Sequence, residues 1–319
     1  MNSVAIVGAG AIGAWLGDAL DRAGWRVSLI ARGQTLAELR SAGLRVSKGG
    51  KTRTSRPRAG SPEEMGVQDF VILTVKAQIL PALAPTLSPL LGPETVVISG
   101  TNGIPWWFLQ DFGGPLTNRV LQSVDPERSQ EQTFPRERAL GSVVHASVRV
   151  ESPANVRVVA ADRLLLGAPD GSDSPQAASL VQALCEGGIV AQASNNIRRD
   201  VWTKLWGNMS INPLSALTRC DTAEMLANDD VQGLCIRMMD EMQLCGERLD
   251  LKMTITAAER IGVAQRLGNF KTSMLADLEA GRPLELEPQL GAVVEIADLL
   301  GVSTPFLRSI LGLTRLVSP

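Results

Sequence analysis

The chain of 319 residues contains no tyrosine and a single histidine, and each shortage excludes a class of chemistry. Short-chain dehydrogenases move protons through a tyrosine paired with a lysine, so the missing tyrosine rules that class out. The one histidine, His145, lies in an apolar run typical of a strand, where a lone histidine is more often structural than catalytic. A histidine–aspartate dehydrogenase is therefore disfavoured. We also expect no metal site, because one histidine and no clustered cysteines leave too few ligands.

Cysteines, long apolar runs and blocks of charge are also scarce. The four cysteines form no CxxC pair and lie in stretches that read as helix, so we expect reduced thiols and no disulfides. No uncharged run reaches the roughly 20 apolar residues that cross a bilayer, and the N-terminus has no positively charged leader. The 31 basic and 33 acidic residues are interspersed, which argues against nucleic-acid and membrane partners. We expect a cytoplasmic protein.

The chain does contain a strong alternation of strand and helix patterns up to about residue 193, which is typical of βαβ units around a parallel sheet. The predicted strands include residues 4–8, 26–31, 70–75, 95–99 and 120–124, and the predicted helices include residues 12–23, 34–42 and 78–91. From residue 196 onward the pattern becomes helical, and residues 229–249 carry one apolar stripe at helical spacing. The sequence therefore predicts an α/β domain over residues 1–193 and an all-α domain over residues 194–319.

A glycine-rich loop follows the first predicted strand and opens the first predicted helix. It reads Gly8-Ala9-Gly10-Ala11-Ile12-Gly13. In a Rossmann-type domain the first glycine allows the tight turn, the second lets the backbone approach a pyrophosphate, and the third lets the helix pack on the strand. The loop amides and the positive helix N-terminus then receive the phosphates. All six residues are therefore predicted to bind a dinucleotide.

The end of the second predicted strand indicates which dinucleotide is bound. An NAD enzyme places a carboxylate there for the ribose 2′-hydroxyl, whereas this chain has no acid between Ser28 and Glu38 and carries Arg32 instead. The guanidinium offers a fixed fork of donors for a 2′-phosphate. Arg32 therefore predicts NADP(H), with a solvated surface arginine as the alternative.

The richest motif of the second half places a lysine and two asparagines along one helix. Lys204, Asn208 and Asn212 follow an i, i+4, i+8 spacing, which puts them within about 80° on one face. Tryptophan, leucine and methionine surround that face, and burial lowers the pKa of a lysine ammonium, which suits proton donation near neutral pH. The equally weighted alternative is a tryptophan-packed helix with an ordinary lysine whose charged end reaches the solvent.

Several motifs now stand in a recognisable order from residue 3 to about residue 315. They are the three loop glycines, Ala31-Arg32-Gly33, Val75-Lys76-Ala77, Asn102-Gly103, the lysine helix with its two asparagines, and Lys271-Thr272-Ser273 followed by Arg282-Pro283-Leu284-Glu285. This ordered set resembles the ketopantoate reductase (2-dehydropantoate 2-reductase) family. The resemblance implies a Rossmann-type dinucleotide-binding domain followed by an all-α C-terminal domain like that of 6-phosphogluconate dehydrogenase. It also implies NADPH-dependent reduction of 2-dehydropantoate to (R)-pantoate, in pantothenate and coenzyme A biosynthesis, and a homodimer.

The same resemblance implies roles for individual residues. Lys204 would be the general acid that protonates the ketone oxygen, and Glu285 would hydrogen-bond the substrate hydroxyl and help to organise the lysine. The implied substrate contacts are Asn102, Asn208, Asn212 and Ser273. The implied cofactor contacts beyond the loop and Arg32 are Lys76, Asn102, Ser147 and Glu285.

The chain departs from the family pattern at two places. Many members continue after the glutamate with Asp and then an Asn-Gly pair, whereas this chain reads Leu286-Glu287-Pro288-Gln289-Leu290-Gly291. Where many carry an asparagine that supports the substrate, this chain has Thr222, which we treat as a substrate-binding candidate. The departures leave the identity of the 2-oxo acid open.

Two other functions compete with this interpretation. A β-hydroxyacid dehydrogenase also uses Lys and Asn four residues apart, although its lysine helix normally follows a glycine-rich run that is absent before Lys204. Such an enzyme would act on another 2-oxo or 3-hydroxy acid. A non-catalytic NADP-binding sensor would need only the glycine loop and Arg32.

Overall fold

The computed structural model describes residues 1–266 and 268–319, with Asp162 described by its backbone alone. Its contacts divide the chain into two compact units, and neither is one continuous segment. The first consists of Met1–Thr101 and Arg128–Asp200, and the second consists of Asn102–Glu127 and Val201–Pro319. The predicted boundary between residues 193 and 194 stays a prediction about domains, and the contacts add that residues 102–127 belong with the helical unit.

The first unit contains ten strands and six helices within its described residues. The strands are β1 (Ser3–Val7), β2 (Arg26–Ile30), β3 (Leu44–Lys48), β4 (Lys51–Ser55), β5 (Arg58–Gly60), β6 (Phe70–Leu73), β7 (Val96–Ser99), β8 (Ala139–Ser152), β9 (Asn155–Gly167) and β10 (Ala191–Ala193). The helices are α1 (Ala11–Arg22), α2 (Gly33–Ser41), α3 (Pro62–Met65), α4 (Leu80–Leu83), α5 (Ser129–Thr133) and α6 (Pro175–Glu186).

All ten strands join one mixed sheet. Their order is β4-β3-β9-β8-β7-β6-β1-β2-β5, and β10 pairs with β9. The segment from β8 to β5 is parallel throughout, while β8/β9 and β3/β4 are antiparallel. Every residue of β1 is buried, as expected for a central parallel strand. Because β1, β2, β6 and β7 run in the same direction, the loops after them emerge at one edge of the sheet.

The second unit is built from helices. They are most of α7 (Ile197–Thr218), then α8 (Thr222–Leu226), α9 (Asp229–Arg248), α10 (Ala257–Arg266), α11 (Ser273–Glu279), α12 (Ala292–Leu300) and α13 (Pro305–Val317). One π-helical turn, Glu287–Gly291, precedes α12. No helix of the described residues is long and apolar enough to span a membrane. The predicted fold class, an α/β N-terminal part followed by helices, is confirmed.

Two local predictions are wrong. The helix predicted for residues 78–91 is divided into the short helix α4 and a 3-10 helix on either side of it. Pro85 and Pro89 each lack a backbone donor, so α4 does not continue beyond Leu83. The strand predicted for residues 120–124 is an irregular segment of the second unit. It pairs with a helix side chain: Gln122 N and Ser123 N donate to the carboxylate of Glu295 at 2.7 and 2.8 Å.

Candidate active site

The glycine loop has the geometry expected of a dinucleotide-binding turn. Gly8 has φ +102°, which strongly favours glycine, and a Cβ there would lie 2.7 Å from a methyl group of Val75. A Cβ on Gly13 would collide with the Gly8 carbonyl oxygen, so this glycine permits close packing of α1 on β1. A Cβ on Gly10 would meet no described atom within 4 Å. The protein therefore needs no glycine at position 10 for its own packing, and the open space there suits a phosphate.

The other predicted cofactor residues of the first unit follow parallel strands. Arg32 is exposed two residues after β2, and Gly8 N donates to Ile30 O at 3.0 Å, so the glycine loop starts beside the end of that strand. Lys76 is half-buried three residues after β6. Thr74, at the end of the same strand, donates its hydroxyl to Gly8 O at 2.8 Å. The structure thus brings Arg32 and the segment preceding Lys76 to the edge that carries the loop.

Ser147 occupies a different position from these residues. It is exposed in β8, next to an irregularity in the pairing with β9. It lies six residues beyond Gly141, the partner of Ser99 at the end of β7, which is about 20 Å along an extended strand. A cofactor contact of Ser147 stays a prediction.

Lys204 lies on α7 in the second unit and contacts a predicted site residue from a distant part of the sequence. Its Nζ donates to Asn102 Oδ1 at 2.8 Å. Burial lowers the pKa of the Lys204 ammonium to about 8, and the negative charge of Glu285 opposes that shift. The lysine is therefore mostly protonated at neutral pH and yet close to releasing its proton, which is the property required of a general acid.

The backbone around Asn102 is held in place by the π-helical turn. Gly103 has φ +88°, and a Cβ there would collide with the Pro288 carbonyl oxygen. Ile104 N donates to that same oxygen at 2.8 Å. Glu285, which is buried, precedes the turn by two residues. π-helical turns are rare in proteins overall, but those that occur are often found at functional sites. We therefore expect this turn to help position Asn102 and Glu285 near Lys204.

The two predicted asparagines of α7 lie on the same face as Lys204. Asn208 is half-buried one turn after the lysine, and Asn212 is buried one turn further on. Asn212 Nδ2 lies 3.4 Å from the Oε1 of Gln289, a residue of the π-helical turn that is 1% exposed. The second unit thus links the helix face that carries Lys204 to the π-helical turn through the buried polar pair of Asn212 and Gln289.

Ser273 follows a residue, Thr272, that is hydrogen-bonded to α7. Ser273 is exposed and opens α11, while the preceding residue, Thr272, is buried and caps the helix by accepting a hydrogen bond from Leu275 N. Thr272 Oγ1 also donates to Ser215 Oγ at 3.2 Å. Ser215 lies one turn beyond Asn212 on α7, so the start of α11 is anchored near the end of the same helix face.

Thr222 is placed differently from the other substrate candidates. Its side chain is fully buried, and its hydroxyl lies 3.1 Å from the backbone oxygens of Gly268 and Phe270. Phe270 N donates to the same hydroxyl at 3.2 Å. These contacts fit a residue that holds the segment leading to α11. The substrate contact assigned to Thr222 stays a prediction.

Sequence reasoning missed two residues that build this site. Ser215 continues the series of residues 204, 208 and 212 by one more helical turn, and that spacing was visible. Gln289 lies in the stretch that departs from the family pattern, but its role could not be inferred, because a π-helical turn is defined by hydrogen bonds that cannot be read from the sequence.

The comparisons with known proteins cover nearly the whole chain. The family model described as ketopantoate reductase PanE/ApbA matches residues 4–171, and the model of the C-terminal part of ketopantoate reductase PanE/ApbA matches residues 196–318. A 2-dehydropantoate 2-reductase of Mesorhizobium japonicum is 39% identical over 98% of this chain and 96% of that protein. One of Archaeoglobus fulgidus is 28% identical over 99% of this chain and 97% of that protein.

The fold has close counterparts among solved structures. A protein of Ralstonia solanacearum MolK2, provisionally named a ketopantoate reductase, superposes with a TM-score of 0.95 at 40% identity. The match covers 99% of this chain and 98% of that one. Since family models, a close relative and the fold agree, the chain belongs to the ketopantoate reductase family of oxidoreductases.

Proposed function

We propose that the protein catalyses the NADPH-dependent reduction of 2-dehydropantoate to (R)-pantoate, a step towards pantothenate and coenzyme A. The observation that carries this proposal is Lys204, an ammonium with a pKa of about 8 that is hydrogen-bonded to Asn102 on a polar helix face. The relative that is 39% identical and named 2-dehydropantoate 2-reductase supports the choice of substrate.

The first unit fits a nicotinamide dinucleotide. When bound, NADPH supplies the hydride that adds to C2 of the substrate. The glycine loop would hold the pyrophosphate, where the space over Gly10 is open. Arg32 would pair with the 2′-phosphate, because an exposed guanidinium at this strand end replaces the carboxylate of NAD enzymes. Lys76 would reach the cofactor from the next strand end.

Lys204 would complete the reduction by giving one proton to the ketone oxygen, which becomes the C2 hydroxyl. The lysine is left neutral and recovers its proton from solvent. Asn102 Oδ1 accepts a hydrogen bond from Nζ and so orients the ammonium. The charge of Glu285 raises the pKa of Lys204, which keeps the acid protonated until the ketone oxygen gains negative charge.

Asn208, Asn212 and Ser273 would bind the substrate oxygens. The two amides offer donors and acceptors on the face that carries Lys204, and Ser273 offers an exposed hydroxyl at the start of α11. A carboxylate, a ketone and a hydroxyl all need such partners when they leave water. This complement of groups supports a small polar 2-oxo acid over an apolar ketone.

The direct test follows loss of NADPH absorbance with purified protein and 2-dehydropantoate, beside a panel of other 2-oxo and 3-hydroxy acids. We expect the highest kcat/KM with 2-dehydropantoate. A higher value with another acid would reassign the substrate while keeping the chemistry. NADPH binding without turnover of any compound would instead favour the sensor function.

Cofactor choice is tested by Arg32→Ala. The Kd of NADPH should rise on the order of 10- to 100-fold, as for a lost charged hydrogen bond, while the Kd of NADH should change little. Arg26→Ala is the matched control, because Arg26 is exposed at the opposite end of the same strand. Equal losses for both dinucleotides would show that Arg32 does not contact the 2′-phosphate.

We propose a cofactor-binding domain over residues 1–193, a catalytic domain over residues 194–319, and a homodimer that works in the cytoplasm. Light scattering of the purified protein should give twice the chain mass of 34.0 kDa, and a monomer mass would remove the dimer from the proposal.

A further inference from the structure

The guanidinium of Arg260, on α10, packs against α7 at Gly207, which lies between Lys204 and Asn208. A Cβ on Gly207 would lie 2.5 Å from Arg260 Nη2 and 3.1 Å from Cζ. Glycine is disfavoured inside a helix because it loses the most backbone freedom on folding. Here the missing side chain leaves the space that the guanidinium occupies.

The charge of Arg260 has no counter-ion in the described parts of the chain. Its Nη1 is buried and lacks a hydrogen-bond partner among residues 1–266 and 268–319. Burial lowers the pKa of this guanidinium, and no carboxylate of the described side chains raises it. The adjacent Glu259 is engaged elsewhere, since its carboxylate accepts from the backbone N and the hydroxyl of Thr256 at 2.7 and 2.9 Å. A half-buried cation without an anion costs free energy that a bound anion would return.

Arg260 lies beside the face of α7 that carries Lys204, Asn208 and Asn212, which is the lysine face. With 3.6 residues per turn, Gly207 lies about 60° to one side of Lys204 around α7, and Asn212 lies about 80° to the other. Asn212 contacts Gln289 of the π-helical turn. Arg260 therefore borders the face on the side opposite that turn, and Lys204 lies between the two.

We propose that Arg260 binds the carboxylate of the 2-oxo acid substrate. The inference rests on the proposed function, because a 2-oxo acid carries its carboxylate on the carbon next to the ketone that Lys204 protonates. With the ketone oxygen at Lys204, the carboxylate lies to one side of it, and Arg260 supplies a cation on that border. The planar fork of a guanidinium matches the two carboxylate oxygens. The residue would thereby select acids over neutral ketones.

The test compares Arg260→Met, Arg260→Lys and Arg266→Met in the whole protein. Methionine keeps much of the apolar volume beside Gly207 and removes the charge, whereas lysine keeps the charge and loses the fork. Arg266 is the matched control, because it is exposed on the same helix. Measurements are kcat and KM for 2-dehydropantoate, the Kd of pantoate in the presence of NADP, the Kd of NADPH, and the melting temperature.

We expect Arg260→Met to raise the KM for 2-dehydropantoate and the Kd of pantoate by about 10- to 100-fold, with kcat and the Kd of NADPH within about threefold of the parent. Arg260→Lys should fall between the two, and Arg266→Met should match the parent. An unchanged KM in Arg260→Met would overturn the inference and leave the proposed function standing. A lower melting temperature with parallel losses in kcat and NADPH binding would also overturn it, by showing a purely structural role. A parent protein that reduces no 2-oxo acid would refute the proposed function and this inference with it.

Discussion

At the scale of single residues, the site depends on two opposing influences on one ammonium group. Burial destabilises the charged form of Lys204, and the nearby carboxylate of Glu285 stabilises it. The resulting pKa of about 8 lies far below the ordinary value of a lysine. Proton transfer is most efficient when the donor pKa lies near the working pH, and the two influences together bring Lys204 close to that range.

Lys204→Ala should lower kcat by on the order of 10²-fold or more, because a lost general acid typically costs that much. The Kd of NADPH should stay unchanged, since the proposed dinucleotide contacts lie mainly in the first unit. Stopped-flow absorbance gives kcat, and fluorescence titration gives Kd. Lys252→Ala is the control, because Lys252 is an exposed lysine of the same unit. Retention of more than a tenth of the parent kcat would remove Lys204 from the mechanism.

The pH dependence of the reaction follows from the same pKa. In the proposed reaction, reduction uses the protonated lysine, so its rate should be level well below pH 8 and fall as the pH rises through about 8. Oxidation of pantoate would use the neutral lysine as a base, so its rate should rise over the same range. Rates of both directions measured from pH 6 to 10 check the prediction, and a reduction rate that is constant to pH 10 would contradict it.

Glu285→Gln tests the electrostatic part of this account. Loss of the negative charge should lower the pKa of Lys204, because Glu285 raises it in the parent. The fall in the reduction rate should therefore begin at a lower pH than in the parent. A profile displaced towards higher pH would show that Glu285 acts on the lysine in another way.

The sequence predicted the residues of the lysine face better than those around it. Lys204, Asn208 and Asn212 share a face because helical spacing is local, and the helix is observed. The position of Thr222 depends on hydrogen bonds to residues 268 and 270, 46 and 48 positions away. Such contacts leave no periodic trace, so a substrate role could be inferred only from the resemblance.

At the scale of elements, the loop between β1 and α1 contains two glycines for which we expect different roles. Gly13 is needed for packing, and Gly10 leaves space for the cofactor. Gly10→Ala should leave the melting temperature within about 2 °C, because Gly10 has φ −79° and its Cβ meets open space. The substitution should nevertheless weaken the binding of NADPH, because a methyl group would enter the space proposed for the phosphates. Gly13→Ala should lower the melting temperature by several degrees, because its Cβ collides with Gly8 O. Calorimetry and NADPH titration of both variants check the contrast, and equal stability would contradict it.

Elements with strong periodicity were predicted most accurately. The stripe at residues 229–249 corresponds to α9, observed as Asp229–Arg248. The hairpin of β3 and β4 was missed, because its strands, LRVSK and KTRTS, are mostly polar and resemble a surface loop. The π-helical turn could not be predicted either. It is defined by backbone hydrogen bonds, in which three donors share the acceptor Leu286 O, and such bonds leave no pattern in the sequence. These features depend on neighbours in space.

At the scale of the whole molecule, one carboxylate ties an early segment to a late helix. Glu295 on α12 accepts hydrogen bonds from Gln122 N and from both the backbone N and the hydroxyl of Ser123. Glu295→Ala should reduce the free energy of unfolding of the second unit by about 2 kcal/mol, as for lost bonds to a charged group. Urea denaturation followed by tryptophan fluorescence measures this change.

Asp298→Ala is the control for that experiment. Asp298 is exposed on the same helix and pairs with Arg308 at the surface, where ion pairs contribute little. Equal losses of stability in Asp298→Ala and Glu295→Ala would show that the three bonds to residues 122 and 123 contribute no more than a surface ion pair.

The assignment of residues 102–127 to the helical unit is the largest feature that the sequence did not reveal. The strand predicted at residues 120–124 rested on local β-branched and apolar residues, yet Gln122 and Ser123 bond Glu295 instead. Earlier in the same segment, Ile104 N bonds Pro288 O. Nothing in the segment itself encodes partners that lie more than 150 positions away.

That interleaving bears on how the protein is made. Ser123 leaves the ribosome 172 positions before its partner Glu295, and at about 5–20 residues per second the segment waits roughly 10 to 30 seconds for it. The last residues of the first unit, Arg128–Asp200, are synthesised before Val201–Pro319, the remainder of the second unit. The apolar side chains of residues 102–127, which include Trp106, Trp107 and Phe108, are buried in the folded protein. Phe108 stacks on Trp202, so we expect these side chains to be accessible until the later residues are made. The nascent chain is therefore most vulnerable to aggregation and to chaperone capture between the synthesis of residues 102 and 295.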